Sequence, residues 1–295
     1  MYSATTVSIQ GENRVEDSFR KEWPSPVSDA DGLRLGSVDF VITEKCSLKC
    51  KDCCNLMQFY SSPRNADLEQ FQTAIRNLAA AIGGIDKLNV VGGEVFMNKR
   101  WADFVLALLD TFPTGDVVVL SNATILPVDA DLEKIANPRV SFQLSDYSKQ
   151  GVRQRMEEFT ERLERHGFGY KVIHAEGWQD CAHMRDYGRP EAVNKQVFAN
   201  CCVAGFYSFQ DGRLYPCPFA SNAAALGAIP EHLDEAVDCT AAVDPEEVRA
   251  LLELNPPAAC SWCPGRPADY KTNSRFSVVT PAVQTRTPLP YPKMR

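Results

Sequence analysis

Apolar residues in the first half of the chain fall into short runs separated by longer stripes. The runs are rich in valine, isoleucine and phenylalanine, as in buried strands, and occupy residues 37–43, 87–91, 116–120, 140–144 and 170–173. Between them, apolar residues recur every three or four positions, as on one helix face, at 68–82, 101–109, 132–135 and 152–163. This alternation predicts an α/β fold of parallel strands joined by right-handed crossovers, with the helices outside.

Small and polar residues follow directly after the predicted strands. In chain order they are a cysteine-rich loop from Cys46, then Gly92-Gly93-Glu94, Ser121-Asn122 and Ser145-Asp146-Tyr147. Ligands of parallel sheets bind where the strands end, at the carboxyl edge of the sheet. The pattern therefore predicts one binding site assembled from these segments.

The alternation stops near residue 178 and a turn-rich region follows. A hairpin is predicted around Asp211-Gly212, between residues 206–209 and 213–215, and a helix at 246–253. The last residues are rich in Pro, Thr and Arg, which predicts an extended or disordered arm. We expect a lead-in at 1–36, an α/β core at 37–178, a small cysteine-bearing extension at 179–268 and the arm at 269–295.

Composition narrows the classes of function. The 295-residue chain is 44% hydrophobic and 23% charged, as in ordinary globular proteins, and its net charge of -7 disfavours a nucleic-acid partner. No secretory signal and no stretch of roughly 18 apolar residues is evident, so we expect a cytoplasmic protein without a membrane partner. Thiols stay reduced in that compartment, so the 11 cysteines predict metal or cluster binding. Cys181 and Cys239 stand alone and are predicted to be ordinary buried side chains.

The first cysteine group is Cys46-x3-Cys50-x2-Cys53. Three thiolates on a short loop can hold three irons of a four-iron cluster, and the remaining iron is then open to the amino and carboxylate groups of a small molecule. A structural zinc site is the alternative, but it needs four ligands and usually pairs two C-x2-C units. Cys54 is adjacent to Cys53 and is poorly placed to be the fourth ligand.

This loop after the first strand, with Gly92-Gly93-Glu94 after the second, resembles the radical S-adenosylmethionine (SAM) superfamily over residues 37–175. The resemblance implies a partial (β/α)6 barrel, a 4Fe-4S cluster on the three cysteines and SAM as cofactor. It also implies that Gly92, Gly93 and Glu94 hold the methionine amino group of SAM. The remaining SAM-binding positions that it implies, near the ribose, are Ser121, Asn122, Gln143, Ser145 and Asp146.

The chemistry that the resemblance implies is reductive cleavage of SAM. An electron donor such as flavodoxin or ferredoxin reduces the cluster, which cleaves SAM to methionine and a 5′-deoxyadenosyl radical. That radical abstracts a hydrogen atom from a substrate.

The second cysteine group is Cys202-x9-Gly212-x4-Cys217, followed by Cys260-x2-Cys263. Taken alone, four thiolates also fit a zinc ribbon. The Gly-x4-Cys hairpin resembles the SPASM and shorter twitch extensions of radical SAM enzymes, and it implies one auxiliary 4Fe-4S cluster. The spacing does not decide between Cys201 and Cys202 as first ligand, and we favour Cys202.

The layout is similar to that of the aminocyclitol (2-deoxy-scyllo-inosamine) dehydrogenases of this superfamily. It implies oxidation of an alcohol to a ketone on a small polar substrate, with the auxiliary cluster taking the second electron. Arg185 is then the candidate for handling the hydroxyl proton, with His183 and Tyr187 as further catalytic candidates.

Three other functions remain open. Epimerisation needs a hydrogen donor, for which Cys181 or Cys54 could serve. Modification of a ribosomal peptide is disfavoured because 36 residues before the first strand are too few for a leader-binding domain. A non-enzymatic, zinc-stapled binding protein would leave the Gly-Gly-Glu segment unexplained.

Overall fold

The computed structural model describes residues 28–29, 32–175, 178–179, 182–230, 235–265 and 276–277. Most of the predicted lead-in and arm, and Cys181, lie outside these residues. The strands are β1 (Ser28–Asp29), β2 (Gly32–Thr43), β3 (Gly84–Gly92), β4 (Asp116–Ser121), β5 (Val140–Asp146), β6 (Gly169–His174), β7 (Trp178–Gln179), β8 (Phe206–Gln210), β9 (Arg213–Tyr215), β10 (Val237–Asp238) and β11 (Phe276–Ser277).

One sheet carries the fold, in the order β10-β9-β8-β2-β3-β4-β5-β6. Strands β2 to β6 are parallel neighbours in chain order, and β8 is parallel to β2 on its other side. Strands β9 and β10 continue antiparallel, and the sheet does not close. The predicted α/β architecture of a partial parallel barrel is confirmed.

The sixth parallel strand is β8, which the sequence did not assign to the core and which lies beside β2. The hairpin of β8 and β9 turns at Asp211 and Gly212, which both have positive φ, as predicted. The sequence-based division places this hairpin in a separate extension after residue 178, whereas β8 pairs with β2 and so continues the core sheet. The division into domains stays a prediction.

Seven α-helices are present in the described residues: α1 (Leu68–Ala81), α2 (Trp101–Thr111), α3 (Asp129–Lys134), α4 (Met156–Arg165), α5 (Glu191–Ala199), α6 (Pro218–Ala225) and α7 (Pro245–Leu252). The first four confirm the predicted stripes, although α4 begins four residues later than the stripe at 152–163. Helix α1 is capped at its N-terminus by Asp67, whose side chain accepts a bond from the amide of Gln70. Helices α5 and α6 were not predicted, because neither has a clear apolar stripe.

Aromatic rings hold the sheet to its helices. The ring of Phe71 on α1 lies 5.9 Å from that of Phe40 on β2, 4.9 Å from that of Phe104 on α2 and 5.9 Å from that of Phe209 on β8. Cys239 is fully buried in the same core, as predicted for a lone cysteine. The edge strand β8 therefore shares the main hydrophobic core.

The other face of the sheet is more polar. On β5, Phe142 and Leu144 are buried in the core, so Gln143 and Ser145 lie on the opposite face, where both are half-buried. No helix in the described part of the chain has the length and apolarity that a bilayer crossing requires.

Candidate functional site

The cysteine loop begins three residues after β2 ends. Its turns are fixed by two backbone bonds, from the amide of Cys53 to the carbonyl of Cys50 (3.2 Å) and from the amide of Leu56 to the carbonyl of Cys53 (3.0 Å). The sulfur of Cys46 accepts a bond from the amide of Leu48 at 3.3 Å. Cys46, Cys50 and Cys53 are all half-buried thiols.

Burial and electrostatic interactions among the three cysteines change the pKa values of Cys46 and Cys53. Burial, with smaller contributions from the charges on Glu94 and Cys50, raises the pKa of Cys46 to about 12. Burial likewise raises the pKa of Cys53 well above its usual value, with added contributions from charges on neighbouring cysteines, including Cys46 and Cys50. Cys46 and Cys53 therefore favour the neutral thiol, and they can act as thiolate ligands only where a cation compensates their charge, as the irons of a cluster would.

Two glycines let strand β3 approach the cysteine loop. The amide of Gly93 donates to the carbonyl of Thr43 (3.1 Å) and that of Glu94 to the carbonyl of Lys45 (2.8 Å). A Cβ atom on Gly93 would lie 2.4 Å from the Lys45 oxygen and 2.6 Å from the Cβ atom of Cys46. The chain can make this contact only with glycine at position 93, because real Cβ atoms do not come so close to other atoms.

Glu94 joins the second predicted segment to the third. Its side chain is buried, Oε1 accepts from Ser121 Oγ (2.9 Å) and the amide of Phe96 (3.3 Å), and Oε2 accepts from the amide of Asn122 (2.8 Å). Burial raises the pKa of Glu94 to about 7, although these three bonds lower it. The structure therefore brings together Glu94, Ser121 and Asn122, which the sequence placed at two strand ends.

Asn122 also reaches the cysteine loop. Its Nδ2 donates to Ser47 Oγ at 3.1 Å and lies 3.8 Å from the sulfur of Cys46. The Ser47 hydroxyl is bonded in turn to that of Thr124 at 2.6 Å. The ends of β2 and β4 are thus connected directly at the first cysteine.

Gln154 is a positioning residue that the sequence did not reveal. Its Nε2 donates to the carbonyls of Asn122 and Ser145, both at 2.6 Å, and its Oε1 accepts from the amide of Tyr147 at 2.6 Å. It therefore ties the end of β4 to the end of β5. Its position in an apparent helical stripe gave no signal of this role.

The end of β5 lies beside the same loop. Charges on Cys50, Cys54 and Cys53 add to the effect of burial in raising the pKa of Tyr147, so its ring is close to the cysteines. Asp146 accepts bonds from the amide of Ser148 (2.8 Å) and shares one with His174 Nδ1 (2.7 Å). Although burial acts in the opposite direction, these bonds hold the pKa of Asp146 below its usual value.

The second cysteine group lines a pocket between α5, α6 and the 3-10 turn Ala258–Ser261. Its walls include Cys201, Cys217, Cys260 and Cys263, with Phe198 and Phe219 among the apolar neighbours. Cys202 is exposed and is not among the lining residues. The sequence-based preference for Cys202 thus differs from the structure, in which Cys201 faces the other three cysteines.

Backbone amides point at two sulfurs of this pocket. Cys217 precedes α6 and its sulfur accepts from the amide of Ala220, while that of Cys263 accepts from the amide of Gly265, both at 3.4 Å. A helix N-terminus and amide donors favour the thiolate form. Burial and the neighbouring Cys217, Cys263 and Cys201 raise the pKa of Cys260, so its thiolate form requires a compensating cation. No three His, Cys, Asp or Glu side chains among the described residues converge as ligands of a single ion would.

Both cysteine groups pack against one hydrophobic cluster. Cys46 and Cys53 touch it from the first loop, and Cys217 and Trp262 from the second group. Its buried members include Leu56, Met57, Phe59, Tyr60, Met184, Tyr215, Phe219 and Cys263. The two groups are therefore parts of one packed region.

The predicted catalytic candidates lie beside the second group. The amides of Arg185 and Tyr187 donate to the carbonyls of Trp262 (3.2 Å) and Ser261 (3.0 Å), and Tyr187 Oη donates to the carbonyl of His183 (2.9 Å). The guanidinium of Arg185 lies 4.6 Å from the centre of the Tyr187 ring. His183 and Arg185 are exposed and Tyr187 is half-buried.

Comparison with known proteins decides the family. The model of the radical SAM superfamily matches residues 40–186, which contain the first cysteine loop, the Gly-Gly-Glu segment and the end of β5. The chain belongs to the radical SAM superfamily. Its radical SAM fold supports one 4Fe-4S cluster and SAM as cofactors.

The curated relatives match only part of the chain. A GTP 3′,8-cyclase of Geobacter sulfurreducens is 25% identical over 118 residues, covering 39% of this chain and 36% of the relative. A probable GTP 3′,8-cyclase of Methanocella arvoryzae is 30% identical over 122 residues, covering 41% of this chain and 38% of the relative. The chain spans little more than a third of the length of these relatives.

One solved structure aligns with a larger share of this chain than the curated relatives do. The crystal structure of BtrN in complex with AdoMet and 2-DOIA aligns with a TM-score of 0.52 at 13% identity, covering 78% of this chain and 93% of BtrN. At this identity the likeness concerns the fold alone. It confirms the predicted layout, since the alignment extends beyond the barrel.

Proposed function

We propose that the chain is a radical SAM oxidoreductase that converts an alcohol of a small polar substrate, such as a sugar or an aminocyclitol, to a ketone. The observation that carries the proposal is the pocket of four cysteines, packed with the first cysteine loop on one hydrophobic cluster. Hydrogen abstraction alone leaves an unpaired electron on the substrate, so oxidation to a ketone requires an electron acceptor nearby.

The donor sets fit two clusters. Cys46, Cys50 and Cys53 would hold the SAM-binding 4Fe-4S cluster, which supplies the electron that cleaves SAM when both are bound. Cys201, Cys217, Cys260 and Cys263 would hold an auxiliary 4Fe-4S cluster, since four thiolates with amide donors suit an anionic group. A flavodoxin or ferredoxin is the proposed electron donor.

The chain orients SAM through the strand ends around Cys46. The Gly92-Gly93-Glu94 segment would bind its amino group, and Ser121, Asn122 and the Gln143–Asp146 stretch would lie along its ribose. Glu94 and Gln154 hold these segments in register through the bonds to Ser121, Asn122 and Ser145. Such fixed positions matter because small displacements of a reacting group are costly in rate.

The polar face of the sheet supports a polar substrate. Asp39 and Asn89 lie on this face, and Asn89 Nδ2 donates to Asp39 Oδ1 at 2.7 Å and to Ser37 Oγ at 3.0 Å. In the described part of the chain Asn89 Oδ1 is buried without a hydrogen-bond partner. Groups of this kind recognise hydroxyl and amino groups. Arg185 is the proposed handler of the hydroxyl proton.

Epimerisation is a second candidate, favoured by one observation. Cys54 is an exposed thiol directly beside the first cysteine loop, where it could return a hydrogen atom to a substrate radical. That reaction is redox-neutral and would not need the auxiliary cluster as acceptor.

Iron content and product analysis test the proposal. Anaerobically purified protein should carry roughly eight irons per chain, and the Cys46, Cys50 and Cys53 triple alanine variant about half of them, without SAM cleavage. Stoichiometric zinc instead of iron would contradict both cluster assignments.

The second cluster is tested by replacing Cys217 and Cys263 with alanine. This variant should still form 5′-deoxyadenosine, because the ligands of the first cluster lie elsewhere, but ketone formation from candidate sugars should fall by orders of magnitude. Circular dichroism controls for misfolding. A folded variant that makes ketone at the normal rate would favour a redox-neutral reaction.

A further inference from the structure

The Arg189 side chain is hydrogen-bonded to the loop that carries two cysteines of the second group. Its Nη2 donates to the carbonyl oxygens of Cys260 and Cys263, which are the two ends of the C-x2-C unit. Its guanidinium carbon lies 4.6 Å from the centre of the Tyr187 ring, so the guanidinium makes a cation–π contact with that ring. The guanidinium is therefore fixed beside the pocket rather than extended into solvent.

Among the residues that the structure describes, the positive charge of Arg189 has no carboxylate counter-ion. Several other arginines are paired with carboxylates, as Arg64 is with Asp211 at 2.5 Å and Arg34 with Asp86 at 2.6 Å. Arg139, like Arg189, is held by backbone carbonyls, but these lie far from either cysteine group. Within the ranges that the structure describes, no carboxylate pairs with Arg189, and its Nε is buried without a hydrogen-bond partner. Carbonyl oxygens compensate a half-buried cation only partly, so an anion in the neighbouring pocket would stabilise Arg189.

A four-iron cluster on four thiolates is such an anion. Its thiolate charges exceed the positive charge of its core, so the oxidised cluster is negative and the reduced cluster more so. A fixed cation nearby favours the more negative state, and in a poorly hydrated pocket this attraction is only weakly screened. Net charge and hydrogen bonding are among the factors that set the reduction potentials of such clusters.

We propose that Arg189 is the counter-ion of the auxiliary cluster and raises its reduction potential. This inference rests on the proposed function, in which the cluster takes one electron from the substrate radical while the hydroxyl proton leaves. By stabilising the reduced cluster, Arg189 favours that transfer. Arg189 is a positioning residue in this scheme, because it acts on the cluster and does not touch the substrate.

The test is a redox titration of the full-length holoenzyme followed by electron paramagnetic resonance. Addition of SAM perturbs the signal of the first cluster, so the SAM-insensitive signal reports the second. For Arg189→Gln we expect at least a tenfold less favourable one-electron reduction, which is a shift of about 59 mV to more negative potential. Arg189→Lys keeps the charge and should stay near the wild type.

Arg213→Gln is the matched control. Arg213 also stacks on a tyrosine, 5.5 Å from the ring centre of Tyr215, but its charge acts on a carboxylate, that of Asp238. The reduction potential of the second cluster in Arg213→Gln should match that in the wild type.

The outcomes separate the inference from the function on which it rests. An iron-replete Arg189→Gln protein with an unchanged potential overturns the role of Arg189 and leaves the cluster standing. If Arg189→Gln loses the second cluster, Arg189→Lys decides between two explanations. A lysine variant that keeps the cluster at a near-wild-type reduction potential supports the role of the positive charge. A lysine variant that also loses the cluster shows that Arg189 has a purely structural role. A wild type without a SAM-insensitive signal overturns the auxiliary cluster itself and the inference with it.

Discussion

Substitution of Gly93 by alanine tests how strand β3 and the cysteine loop are fitted together. The new Cβ atom would lie 2.4 Å from the Lys45 oxygen, 2.6 Å from Cys46 Cβ and 2.7 Å from the Lys45 carbonyl carbon. Ordinary contacts begin at 3.4 Å, so the loop must move by about 1 Å, and two of the three obstructing atoms are backbone atoms that cannot rotate away.

That movement also stretches the two bonds that join the segments, from the amide of Gly93 to Thr43 and from the amide of Glu94 to Lys45. Overpacking costs about 1–3 kcal/mol and each of the two weakened bonds about 1 kcal/mol, so Gly93→Ala should lower the free energy of unfolding by about 3–5 kcal/mol. Because Cys46 is one of the displaced groups, SAM cleavage should fall by roughly 100-fold even where the protein stays folded.

Urea unfolding, iron content and 5′-deoxyadenosine formation measure these effects. Gly169→Ala is the matched control, because a Cβ atom there meets nothing within 4 Å and its φ is not positive. Its stability should stay within about 0.5 kcal/mol of the wild type. The reasoning is refuted if Gly93→Ala is as stable as Gly169→Ala and holds the full complement of iron.

Three further predictions follow from other parts of the structure. Cys201→Ala should lose the iron of the second site, whereas Cys202→Ala should keep it; equal iron in both variants would show that the pocket in the structure is not the ligand set. Burial raises the pKa of Glu94 from 4.5 to about 7. Protonated Glu94 therefore stabilises the folded, metal-free chain, and this stabilisation is fully present below pH 4.5. It is lost, by roughly 3 kcal/mol in the free energy of unfolding, as the pH rises through 7. Urea unfolding at several pH values should show that Glu94→Gln removes this part of the pH dependence, and parallel curves for the two proteins would contradict it. Phe159 is fully buried with its ring 5.6 Å from that of Phe96, so Phe159→Ala should cost about 3–5 kcal/mol, against a change within about 0.5 kcal/mol for exposed Val128→Ala.

The sequence alone determined the order of strands and helices in the barrel and the segments that form the site. The α1 stripe of Leu68, Phe71, Ile75 and Leu78 is buried as predicted, because a helix face repeats with a fixed period that apolar spacing records directly. Likewise, the Cys46 loop and the Gly-Gly-Glu segment had to meet, because the carboxyl ends of parallel neighbours share one edge of the sheet.

Tertiary structure alone decided features that depend on distant partners. Cys201 and Cys202 are adjacent, so spacing places them equally well, and only the packing of α5 turns Cys201 toward the pocket. The pairing of β8 with β2 joins segments that are far apart along the chain, and no local pattern encodes which edge is free. The same holds for Gln154 and Arg189, whose roles consist of bonds to backbone carbonyls of other segments. Any polar side chain can make such bonds, so the residue type carries no signal until the fold brings the carbonyls within reach.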